Sequence, residues 1–205
     1  INLDSSCAGT GARNAIAGDI DSDGDIEIIV NNNNKLFAFH HDGTVVAGWP
    51  GPYISELLHS TPVLGDIDND GFQEIIISAP ANHVHKVYAF NHDATLVPGW
   101  PKSVGIDDMI ANSGQFPQRS TPVITDIDND GQIDIVLTQG NRVYVWEVDS
   151  PYRPGIMEWP MYRHDTLRTG KYSPPCITPT DGMVIEEDII LCRGEHRLDN
   201  GIQIG

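Results

Sequence analysis

The chain has 205 residues, with 29 acidic against 12 basic side chains and a formal charge of −17. Such a surface repels phosphate backbones, which argues against a nucleic-acid binder, and no apolar run approaches the ~18 residues that insertion into a bilayer requires. A hydrophobic content of 40% argues against disorder, and 20 glycines with 14 prolines point to a turn-rich, all-β fold.

Residues 1–13 begin with Ile1 and carry no basic segment followed by an apolar one, so no signal peptide is read there and a processed or excised piece is expected. From there three units align. The first runs AIAGDIDSDGDIEIIV and then KLFAFHHDGTVVAGWP; the second, STPVLGDIDNDGFQEIII and KVYAFNHDATLVPGWP; the third, STPVITDIDNDGQIDIVL and RVYVWEVDS. Their bounds are about 13–50, 60–101 and 120–160, and their leading aspartates Asp19, Asp66 and Asp126 stand 47 and 60 residues apart. The longer second interval lies mostly in residues 102–119, which read as a surface loop.

Each unit predicts about four short strands. In the second unit TPVLGDI enters an acidic loop, EIIIS leaves it, KVYAFN follows, and TLVPGW closes the unit. The apolar, β-branched runs at 26–30, 75–77 and 133–137 fit strands buried on both faces. Alternation at 87–90 and 143–146 has the period of a half-buried strand, and the turns at 41–43 and 92–94 make hairpins. The expected fold is therefore all-β: a partial β-propeller of about three four-stranded blades. Three blades do not close a ring of about four to eight, so further blades are expected upstream. Residues 159–172 depart from the repeat, a Pro-rich linker follows at 173–182, and 183–205 read as the start of a second, truncated β domain.

The acidity marks the chemistry. Residues 19–27, 66–74 and 126–134 hold 13 of the 29 acids, a concentration that costs repulsion unless a cation sits among them. All three match D-x-D-x-D-G-x-x-[DE], a pattern suited to a hard cation. Side chains at positions one, three and five converge, position seven offers a carbonyl, position nine adds an oxygen, and glycine at six permits the tight turn. The candidate ligands are Asp19, Asp21, Asp23, the Asp25 carbonyl and Glu27; Asp66, Asp68, Asp70, the Phe72 carbonyl and Glu74; and Asp126, Asp128, Asp130, the Gln132 carbonyl and Asp134. These are not EF-hands, because position twelve is Val30, Ile77 or Leu137 where that motif needs a bidentate Glu. Crowded carboxylates on flexible loops favour about three Ca2+ ions over Mg2+, and the loops lack the nitrogen and sulfur ligands of zinc. Solvated acidic turns are the alternative, which threefold repetition in register disfavours.

These units resemble FG-GAP/VCBS repeats, the blades of integrin-α-type propellers and of many secreted microbial proteins, over roughly residues 13–172. The Phe-Gly and Gly-Ala-Pro signatures survive only as echoes at Gly71-Phe72 and Ala79-Pro80, which places the chain nearer the microbial variants. The resemblance implies a calcium-stabilised, extracellular or cell-surface module for adhesion or for binding a protein or glycan ligand. It also implies an alternative, the propeller portion of a secreted enzyme such as a calcium-dependent polysaccharide lyase. The tail from Cys176 weakly resembles the opening of a right-handed parallel β-helix.

No catalytic set competes with this reading, since neither a Gly-x-Ser-x-Gly, an HExxH nor a phosphate-binding glycine loop occurs. Lys102, Arg119 and Arg142 are the basic residues a lyase would need near calcium, but nothing gathers them. His83, His85 and His92 allow a zinc reading; exposed polar positions are the plainer account, as they are for His40, His41 and His164. Ser60 and Ser120 mark strand starts. Trp49, Trp100 and Trp159 fall at unit ends and suit packing between units, with sugar stacking as the lesser reading. Cys7, Cys176 and Cys192 are an odd set, in which Cys176 and Cys192 are either paired or free.

Overall fold

The computed structural model describes residues 12–32, 34–52, 54, 58, 60–81, 84–106, 120–153, 157–165, 168, 184–185 and 203–204. Three antiparallel sheets follow one another along the chain. The first contains β1 (Ala12–Gly18), β2 (Glu27–Asn32) and β3 (Lys35–Phe39) in the order β1-β2-β3. The second is β4-β5-β6-β7, built from β4 (Val63–Gly65), β5 (Glu74–Ala81), β6 (Val84–Phe90) and β7 (Lys102–Ile106). The third is β10-β9-β8, from β8 (Val123–Thr125), β9 (Gln132–Gln139) and β10 (Arg142–Pro151). A short parallel pair joins β11 (Val184–Ile185) to β12 (Gln203–Ile204). None of the three sheets closes on itself. The proposed linker 173–182, the three cysteines and His83 lie outside the described residues.

The expected fourth strand takes a different form. TVVAGW and TLVPGW each pair at a single point, Val45 with Phe39 and Leu96 with Phe90, and then turn away. The turns before them are held by Asp42 and Asp93, whose carboxylates each accept from the backbone N–H and the hydroxyl of the threonine two residues on. Those bonds hold both carboxyls below the usual carboxylate range. The middle sheet gains its outer strand from Lys102–Ile106, the beginning of the segment read as a loop. Val104 is buried there, and its side chain supplies the apolar contact that a solvated loop would lack.

Alternation along β5 explains how the units stack. Ile75 and Ile77 face the first unit in a core shared with Ile16, Ile29, Leu36, Ala38 and Trp49. Ile76, one residue out of phase, faces the third unit with Val63, Ile67, Val87 and Ala89, against Ile124, Ile133, Ile135 and Leu137. One face of each unit thus meets the opposite face of the next. In the third unit the corresponding leading face is bare: Val143 is 63% exposed and Val145 47%, where the equivalent Val87 and Ala89 are fully buried. Trp49 and Trp100 pack as expected between units, Trp49 edge-on to Phe90 with its indole N–H donating to the His92 carbonyl, and Trp100 edge-on to Trp146.

Trp159 does not occupy the same place as Trp49 and Trp100. Residues 157–160 run as a strap across the starts of all three units. Glu158, nearly buried, accepts the Asp19 N–H; Trp159 exchanges backbone hydrogen bonds with Leu64; and Ile124 N–H donates to the Pro160 carbonyl. This explains two glycines. A Cβ at Gly65 would stand 2.7 Å from both Ile124 Cδ1 and Met157 Sδ, and one at Gly18 would meet Leu64 and Glu158. His164 packs edge-on against the Trp159 ring, and His85 is buried, so neither is the exposed residue expected.

Candidate metal centre

Each acidic loop is the connection of a hairpin closed by equivalent pairs: Gly18 opposite Glu27, Gly65 opposite Glu74, and Thr125 opposite Asp134. Within the loops the backbone repeats closely. Position four is left-handed in all three, at Ser22, Asn69 and Asn129 (φ 58°, 60° and 61°), and the glycine at position six follows at φ 91°, 92° and 88°. Only glycine tolerates the latter conformation freely, which explains its place in the motif.

Hydrogen bonds draw each loop inward. The carboxylate at position one accepts from the glycine N–H at position six in every loop: Asp19 from Gly24, Asp66 from Gly71, Asp126 from Gly131. The carboxylate at position five accepts from the N–H at position seven, as Asp23 from Asp25, Asp70 from Phe72 and Asp130 from Gln132. The acid at position nine reaches back to the N–H at position two, at 3.1 Å for Glu27, 2.8 Å for Glu74 and 2.9 Å for Asp134. All three of these deep acids are buried.

The structure brings together three carboxylates of each loop, with Glu27 grouped with Asp21 and His40 and neither Glu74 nor Asp130 in such a group. Oxygens of Asp19, Asp21 and Asp23, of Asp66, Asp68 and Asp70, and of Asp126, Asp128 and Asp134 lie within 4.8 Å of one another in each set. At position seven, the Asp25 side chain is exposed and 3.4 Å from His41, the Phe72 ring stacks on His92, and the Gln132 amide donates to Asp130. The loops of the first two units touch, since the Ser22 hydroxyl donates to the Gly71 carbonyl.

The donor set fits a hard divalent cation on a specific count. Asp21 Oδ1, Asp66 Oδ1 and Glu74 Oε1 are shielded from solvent with no hydrogen-bond partner, and such orphans are rare in folded proteins. Burial pushes the Glu74 carboxyl up to about 9, with the nearby Asp68, Asp70 and Asp66 charges adding to the effect. Burial likewise raises Asp19, Glu27 and Asp68. Groups arranged this way resist holding their negative charge unless a positive one is supplied.

Residues 19–77 match the family model of an FG-GAP-like repeat. The chain is similar to that family there. The matched span holds the first two acidic loops, the strands between them and the first half of β5. No curated protein and no solved structure matches the chain. Among the described residues no helix is long and apolar enough to cross a membrane.

One participant lay outside the motif. His40, one residue beyond the Phe39–Ile28 pair, brings Nδ1 to 3.1 Å from Glu27 Oε1. That bond raises the imidazole above its ordinary value. His40 opens the turn that its sequence predicts, and only the register of β2 against β3 sets its ring beside the first loop.

Proposed function

We propose that this chain is a calcium-stabilised, non-catalytic repeat module of an extracellular protein, serving adhesion or the binding of a protein or glycan. Its three acidic loops each hold one Ca2+. The first is held by Asp19, Asp21, Asp23, the Asp25 carbonyl and Glu27; the second by Asp66, Asp68, Asp70, the Phe72 carbonyl and Glu74; the third by Asp126, Asp128, Asp130, the Gln132 carbonyl and Asp134. The observation that carries this reading is Glu74, fully buried with one carboxylate oxygen unpartnered beside three aspartates. The FG-GAP-like match over the first two loops supports it.

The role of the ion is structural. Three bound ions take the charge from −17 to −11 and tie both ends of each hairpin to one centre. Loops without an acid at position twelve suit the millimolar calcium of extracellular fluids. An ion at ten times its dissociation constant adds about 1.4 kcal/mol per site. Three sites in a domain of this size then raise the melting temperature by roughly 10 °C. Calorimetry in chelator and in millimolar calcium, with a titration for stoichiometry, tests this; identical melting in both buffers sinks the calcium reading. A glycan and protein array probed with the calcium-loaded chain tests the binding role separately.

A further inference from the structure

The geometry points to a mixed nitrogen–oxygen metal site in the first unit, in which Asp21, Glu27 and His40 take a borderline dication of the zinc and cobalt class. It rests on reading the first loop as a cation loop: Asp21 and Glu27 serve either ion, so a zinc-class dication competes there with Ca2+, a selectivity the other two loops lack.

Donor atoms of these three side chains lie within 4.8 Å of one another, on the loop, at the start of β2 and just past β3. Glu27 is fully buried, and its Oε1 meets His40 Nδ1 at 3.1 Å. When Nδ1 carries a proton it donates to Glu27 Oε1; when that proton leaves, the two lone pairs face one another and a metal ion can take its place. Asp21 Oδ1, shielded and unpartnered, supplies the third donor. Imidazole nitrogen ranks zinc-class ions above calcium, which takes oxygen almost alone.

The other units make the comparison internally. The position across from the deep acid is Asn91 in the second unit, facing Glu74, and Glu147 in the third, paired with Asp134. Asn91 Oδ1 is buried and unpartnered, as is Glu74 Oε1, so the second site offers oxygen only. Glu147 is exposed. All three loops carry aspartates at positions one, three and five and an acid at position nine, and the first alone sets a histidine across from that acid, so it alone adds a nitrogen donor to its oxygens.

The test uses Co2+ as a spectroscopic probe, with Zn2+ in competition, on the whole chain and on His40→Asn, which installs the residue that the second unit carries. His41→Asn serves as a neighbouring control, because the chain has eight histidines, and His40→Gln as a second variant should the first fail to fold. The expected result is a visible Co2+ band in the parent and in His41→Asn, displaced by Zn2+. In His40→Asn the Co2+ affinity falls at least about tenfold, the lower bound for losing even a supporting residue at a metal site. Terbium luminescence reads the oxygen sites at the same time and is expected to persist. An unchanged Co2+ band in His40→Asn, or its loss in His41→Asn, overturns the inference while leaving the calcium reading intact. Loss of terbium binding from the parent overturns the calcium reading as well.

Discussion

Replacing Glu74 by glutamine is expected to raise the melting temperature in chelator and lower it in calcium. The folded value of this carboxyl, about 9, stands above its unfolded value near 4.5 because burial disfavours the charge. A group raised in this way contributes most stability below pH ~4.5 and loses it as pH climbs towards ~9. At pH 7 the metal-free protein has therefore given up on the order of 3 kcal/mol, at about 1.4 kcal/mol per pH unit. Glutamine keeps an oxygen to accept the Ile67 N–H and turns an amide donor towards the aspartates, with no charge to bury. A melting temperature higher by about 5–10 °C in chelator follows, together with a flatter pH profile between 5 and 9. With calcium present the order reverses, since the variant has lost an anionic ligand. Scanning calorimetry of both proteins in both buffers is decisive; the same melting order in chelator and in calcium would contradict this account of Glu74.

Ile67→Ala is expected to cost about 2–5 kcal/mol and Ile127→Ala no more than about 0.5 kcal/mol, although the two residues hold the same place in their loops. Ile67 is fully buried in the core between the second and third units, whereas Ile127 is 54% exposed. Both backbone N–H groups donate to the acid at position nine and survive the substitution, so the comparison isolates side-chain packing. Denaturant unfolding of the two variants in calcium measures it. Equal losses would mean that the leading face of the third unit is covered after all.

The legible features were those with a local cause. Asp at alternate positions followed by Gly identifies a loop that turns on itself, and the β-branched residues after it identify the strand on which its last acid sits. Repetition made the units visible. What stayed hidden depends on residues far apart in the chain. Nothing near Glu158 signals that it accepts the N–H of Asp19, 139 residues away. The strand at Lys102–Ile106 contains a glycine and follows a Trp-Pro turn, so its own sequence reads as loop; pairing with Val84, Lys86 and Val87 makes it a strand. His40 escaped for a similar reason, because a hairpin register, and no spacing along the chain, sets it across from Glu27.

The exposed Val143 and Val145 have a geometric corollary. They belong to one side of a junction whose two sides differ, as Ile75 and Ile77 differ from Val87 and Ala89 within the stack. Two copies related by a twofold axis would set like against like, whereas a module added in the same polarity would repeat the junction already present between units. Among the described residues the stack is directional, since the two faces of a unit carry different side chains and meet different neighbours.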